Sequence, residues 1–175
     1  MINNKKLYFY IKLFLLMNKT SLFFLQFVLL VVGILSLFIL LRFPLLEGRA
    51  VNLSPVEIYS DPFILYGYFS SIFFFLGLYQ GSKLLKQIGR NKLFTTEAIQ
   101  TIQKIKYCSY CLAMLIVFGA LYIRFFHHPD DDPAGFLALS MILILLFSAI
   151  GTAAFVFEKS IQKAVDLKNE NDLTI

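Results

Sequence analysis

The sequence predicts an all-α, polytopic membrane protein: four transmembrane helices, with both chain ends and the middle connector on the cytoplasmic side. Three observations lead there. Hydrophobic residues make up 58% of the 175 residues, 20 of them Phe, and mean hydropathy is +0.73, more apolar than an ordinary soluble domain. The chain contains four apolar runs, each near the roughly 20 residues needed to cross a bilayer core. The cations are distributed unevenly around those runs. Lys5, Lys6, Lys12, Lys19, Lys83, Lys86, Arg90, Lys92, Lys104, Lys106, Lys159, Lys163 and Lys168 fall on one side, and only Arg42, Arg49 and Arg124 on the other. Lys and Arg near span ends are retained in the cytoplasm, which sets the orientation. The net charge of +5 is accounted for by these flanks, so direct nucleic-acid binding is not expected. Four spans and their loops fill residues 1–175 as one membrane domain.

Residues 1–20 form a cytoplasmic or interfacial N-terminus. Leu7 to Met17 is apolar apart from Lys12, and Asn18-Lys-Thr20 divides it from the next apolar run, so it is either a separate interfacial helix or an extension of the first span. The first span occupies 21–41; at 1.5 Å per residue it crosses about 30 Å. Arg42-Phe-Pro44 succeeds it in place of a small-residue cleavage site, so it is read as an uncleaved span rather than a signal peptide. Residues 42–62 form the first outer loop, where Ser54-Pro-Val-Glu57 has the cap, proline and acid of a short surface helix. Asp61-Pro62 then opens the second span, 63–85. Gly67, Ser70, Phe74, Gly77 and Gly81 share a helical face there, and small residues let membrane helices approach closely.

Residues 86–106 form the longest polar segment and carry the densest positive charge of the chain. Thr95 is placed as an N-cap, with Glu97 in the first turn. Phe94 and Ile99 have hydrophobic-staple spacing. Ala98, Ile99, Ile102 and Ile105 form one apolar stripe, with Gln100, Gln103, Lys104 and Lys106 off it. With no Pro or Gly to interrupt it, this helix is expected to run straight into the third span, 107–127. The stripe suits either an interfacial helix against anionic headgroups or a docking surface for a cytoplasmic partner.

Within the third span Cys108 and Cys111 have CxxC spacing. Two sulfurs are half a structural zinc set, and His127 and His128 lie at the far end of the helix, so small-residue packing is the reading, with no metal or cofactor. The second outer loop, 128–135, places His127 and His128 beside Asp130, Asp131 and Asp132. That set suits a metal or a pH response, but Asp132-Pro133 also serves as the cap of the fourth span, 136–158. Ser148, Gly151 and Thr152 give that span a small inner face. Residues 159–175 form the tail, helical to about Lys168 and polar beyond.

Asn91-Lys-Leu-Phe-Thr95, Ile102-Gln-Lys-Ile-Lys-Tyr-Cys108 and Ala164-Val-Asp-Leu-Lys-Asn-Glu-Asn-Asp-Leu-Thr-Ile175 together resemble the bacterial membrane family known as domain of unknown function 2975, the YoaS-like proteins. The resemblance implies a small integral membrane protein of the bacterial cytoplasmic membrane. It also implies a soluble Cro/CI-type helix-turn-helix regulator as a partner. Lipid burial does not account for Asn91, or for Glu170, Asn171 and Asp172 in the tail, and Lys92, Phe94, Thr95, Lys104 and Leu173 share their side of the membrane. These are the candidate docking residues of a non-enzymatic regulator or sensor. A small-solute transporter or an oligomeric pore is the alternative, although the span centres hold no Asp, Glu, Lys or Arg. No nucleophile with an adjacent base is present, so no enzyme is expected.

Overall fold

Among the residues described by the computed structural model there are five helices and no strands. It describes the backbone of residues 4–46, 54–126 and 132–172, and the side chains of 20–45, 54, 56–126 and 132–166. They are α1 (Asn4–Leu46), α2 (Pro55–Tyr59), α3 (Pro62–Gly89), α4 (Thr96–Phe126) and α5 (Ala134–Asp172). All but α2 are long and apolar enough to cross a bilayer. This is a four-span membrane protein.

α1 is one continuous helix of 43 residues, so the apolar stretch before Asn18 extends the first span and is not a separate element. It also passes through Pro44, beyond the expected end at Leu41. Proline has no N–H, so the carbonyl of Leu40, four residues earlier, loses its helical donor. The hydroxyl of Tyr68 on α3 donates to that carbonyl at 3.2 Å, and Tyr59 of α2 donates to the next one, Leu41, at 2.9 Å. Their rings lie 6.4 Å apart. Where no water can replace the missing donor, neighbouring side chains must.

α2 has the expected capping box. Ser54 accepts from the Glu57 N–H, and the Glu57 carboxylate accepts from the Ser54 N–H at 2.8 Å. Hydrogen bonds from the Ser54 hydroxyl and then its backbone hold the Glu57 carboxyl below the usual carboxylate range. Asp61 caps α3 through the N–H groups of Phe63 and Ile64.

α1 packs on α3 and α2; α4 packs on α3 and, most extensively, on α5. Ring pairs Phe63–Phe136 and Phe74–Phe147 join α3 to α5 edge to face. The expected small face of α3 divides between two neighbours. Gly77 faces Cys108 of α4, and a Cβ there would stand 3.7 Å from that side chain. Gly81 faces Leu29 of α1 at 3.4 Å. Gly67 has open space where a Cβ would be, so the structure corrects its assignment as a packing glycine. One helical face, one turn apart, can meet different partners because α1 and α4 flank α3.

Burial is uneven. In the most apolar windows of α1 and α3 no residue is fully buried, so lipid is their main neighbour. The best-buried residues gather where α3 turns into α4: Leu85, Gln87, Ala98, Thr101 and Ile102, joined by Ile161 of α5. This end is called the head.

Candidate functional site

α3 ends in a Schellman motif. The Lys92 N–H bonds the Gln87 carbonyl at 2.9 Å, and the Asn91 N–H bonds Ile88 at 3.0 Å. Asn91 carries φ = 57°, a left-handed conformation that Asn tolerates far better than most residues. Its presence thus has a conformational cause apart from any partner. Thr95 caps α4 as expected, accepting from the Ala98 N–H at 3.3 Å while its hydroxyl donates to the Lys92 carbonyl at 2.8 Å. Phe94, between these two motifs, is 53% exposed. Lys83, Lys86, Arg90, Lys92 and Lys104 are exposed around it, with Lys159 and Lys163 on α5.

Part of the apolar stripe of α4 is packed inside the protein. Ala98 and Ile102 are fully buried in the head, and α4 runs unbroken from Thr96 to Phe126. Crossing about 30 Å of hydrocarbon takes about twenty residues, and α4 has 31.

Beside the head lies a cluster that helical periodicity alone does not place. Lys106 and Gln103, read as lying off the apolar stripe, both turn onto Glu158 of α5. The Lys106 ammonium donates to Glu158 Oε2 at 2.6 Å, and the Gln103 amide to Oε1 at 2.9 Å. The side chains of Lys106 and Glu158 are 11% and 6% exposed. The ammonium also lies 4.7 Å from the Tyr107 ring centroid and 5.5 Å from that of Phe155. Both carboxylate oxygens therefore have donors, and the cation is flanked by aromatic faces. A buried charge needs such satisfaction to be tolerated. The signal in the sequence is an acid in α5 and a base in α4, each at a span edge, but only the packing of the two helices pairs them.

Deeper along the same interface, Tyr110 lies over Gly151, where a Cβ would fall 2.8 Å from the ring. The Tyr110 and Thr152 hydroxyls are 3.3 Å apart, and Thr152 donates to the Ser148 carbonyl at 2.9 Å. Gly151 and Thr152 thus meet Tyr110 of α4, and the Ser148 backbone accepts from Thr152. Near the opposite end, Pro62, Phe63, Tyr66, Phe118, Gly119 and Tyr122 line an apolar cleft of about 310 Å³, where the Tyr66 hydroxyl is committed to the Leu115 carbonyl at 2.6 Å.

Of the tail candidates, Glu170, Asn171 and Asp172 continue α5, which runs past the expected end near Lys168; their side chains and Leu173 lie outside the described residues. So do His127, His128, Asp130 and Asp131. The described residues contain no group of three His, Cys, Asp or Glu placed to hold a metal. Cys108 and Cys111 are free thiols, the first half-buried and the second exposed.

Residues 45–175 match the model of a protein family of unknown function, DUF2975. The chain belongs to that family. It is also similar to the uncharacterized membrane protein YoaS of Bacillus subtilis (strain 168), with 32% identity over 162 residues, covering 91% of this chain and all of YoaS. No solved structure matches. The match takes in α3, α4 and α5, the helices that build the head, and begins at the end of α1.

Proposed function

We propose that this DUF2975 protein is a non-enzymatic regulator or sensor of the bacterial cytoplasmic membrane whose head faces the cytoplasm and docks a soluble partner. One observation carries the reading. Ala98 and Ile102 of the apolar stripe are buried inside the head, yet Phe94 is left exposed among cations. An exposed aromatic with positive neighbours suits a protein surface that offers an apolar pocket and acidic groups. A bilayer interface is less suited, because the headgroup layer adds only about 5–8 Å per side and α4, at 31 residues, is long enough to carry Phe94 past it. The helix-turn-helix regulator implied by the family resemblance is the first candidate partner, approached through Asn91, Lys92, Phe94, Thr95, Lys104 and the tail from Glu170 to Leu173.

The test is recovery of that regulator with solubilised full-length protein, Phe94→Ser, and a chain lacking residues 169–175. Reduced recovery with both variants supports the surface. Equal recovery with all three removes it. A second reading, a small-solute transporter or pore, rests on the buried Lys106–Glu158 pair, since ionisable groups between membrane helices often mark pathways. Liposome flux with purified protein distinguishes it.

A further inference from the structure

α4 and α5 are joined at the Lys106–Glu158–Gln103 cluster although their uncharged lengths do not match. From Tyr107 to Ile123, α4 has 17 residues without a charge, about 26 Å. From Ala134 to Phe157, α5 has 24, about 36 Å. A typical core of roughly 30 Å lies between the two. The shorter helix is matched by a thin bilayer and the longer one by a thick bilayer, and an over-long helix in a thin bilayer tilts. Both lengths are counted from the charge pair, so the excess of α5 lies at the far end of the two helices, and a tilt of α5 that absorbs it moves Glu158 relative to Lys106.

We infer that this cluster is a latch read by bilayer thickness, holding the α4 and α5 ends of the head in register under thick hydrocarbon and releasing them in a thin bilayer. Two effects give the same sign. Where hydrocarbon reaches the pair, separating Lys106 from Glu158 exposes two charges to a low dielectric, which strongly disfavours opening. Where the bilayer is thin, water reaches the pair and competes for both groups, while tilting of α5 shears Glu158 past Lys106. The flanking rings of Tyr107 and Phe155 and the depth of burial hinder the ammonium from snorkelling away independently. Beyond the pair Ile102 of α4 and Ile161 of α5 are both buried, so release changes the face on which a partner would dock. As regulation, the inference rests on the docking reading above; as a mechanical property it does not.

The experiment therefore uses no partner. Full-length protein with Cys108→Ala and Cys111→Ala carries nitroxide labels at the exposed sites Lys104→Cys and Lys163→Cys. It is placed in nanodiscs of monounsaturated phosphatidylcholine with chains of about 14, 18 and 22 carbons, and the inter-label distance distribution is read by pulsed EPR. The result expected is one narrow distribution in the two longer lipids. In the shortest, a longer-distance population should rise roughly threefold or more. The pair Lys106→Met with Glu158→Met should lose the dependence on chain length, and the exchanged pair Lys106→Glu with Glu158→Lys should keep it. A distribution indifferent to chain length in the parent overturns the latch, as does a methionine pair that responds like the parent. Failure to recover a soluble partner, with the thickness response intact, removes the proposed docking and leaves the latch.

Discussion

The two ends of this molecule meet the same problem, a polar group with no water to satisfy it, in different ways. At the Pro44 end the group is neutral and belongs to the backbone. The donor that Pro44 takes from Leu40 is replaced by the single hydroxyl of Tyr68, and Tyr59 adds a bond to the neighbouring Leu41 carbonyl. At the head the groups are ionised side chains, and three residues from two helices close on one another with aromatic faces around them. A lost neutral bond costs the desolvation of one carbonyl; a broken buried pair leaves an uncompensated charge. The head end should therefore be the more sensitive to mutation.

The largest effect is expected at the charge pair. Glu158→Ala, which isolates the Lys106 ammonium, should destabilise by about 3–5 kcal/mol, while Lys106→Met with Glu158→Met should come within about 1–2 kcal/mol of the parent. Thermal unfolding in detergent measures both, and equal losses in the two variants would break the comparison. Next comes the α4–α5 contact below the pair. Gly151→Val should cost about 1–3 kcal/mol by driving Tyr110 off Thr152. Gly67→Ala, facing open space, should be neutral or stabilise by up to about 1 kcal/mol. The Pro44 end is sharpened by a double-mutant cycle. Tyr68→Phe should cost about 1–2 kcal/mol alone and less beside Pro44→Ala, which restores the backbone donor to Leu40. Additive losses would show that Tyr68 acts only by packing.

The smallest effect concerns Glu57 of α2, which is exposed. Since the folded-state pKa of Glu57 is depressed, its capping contribution is present above the unfolded value and is lost as pH falls through the folded one. Backbone amide shifts at Ser54 and Glu57 in an acid titration should report local loosening while α3 and α4 remain unchanged.

The spans, the α2 capping box, the Asp61 and Thr95 caps and the unbroken run of α4 could all be read from the chain, because each depends on neighbours within four residues or on the length of an apolar run. The features that could not be read there are those set by packing between distant segments. Lys106 has the sequence environment of a solvent-facing residue, and only the facing of α5 onto α4 turns it inward. Pro44 reads as a terminator until α3 brings a phenol to the orphaned carbonyl. Gly67 and Gly77 look alike by spacing; which of them receives a neighbour depends on where α4 crosses. For the site itself, composition indicated a basic, polar connector, but not that a closed core lies beneath it.

The connector between α3 and α4 is short and fixed by Asn91 at its left-handed position. Each residue of a helix advances about 100° around its axis. An extra residue in the connector itself can be taken up by the loop, but one inserted into α4 between Ile102 and Gln103 would turn the buried Ile102 side and the Lys106 ammonium about 100° out of phase, so that only one of them could keep its place against α5.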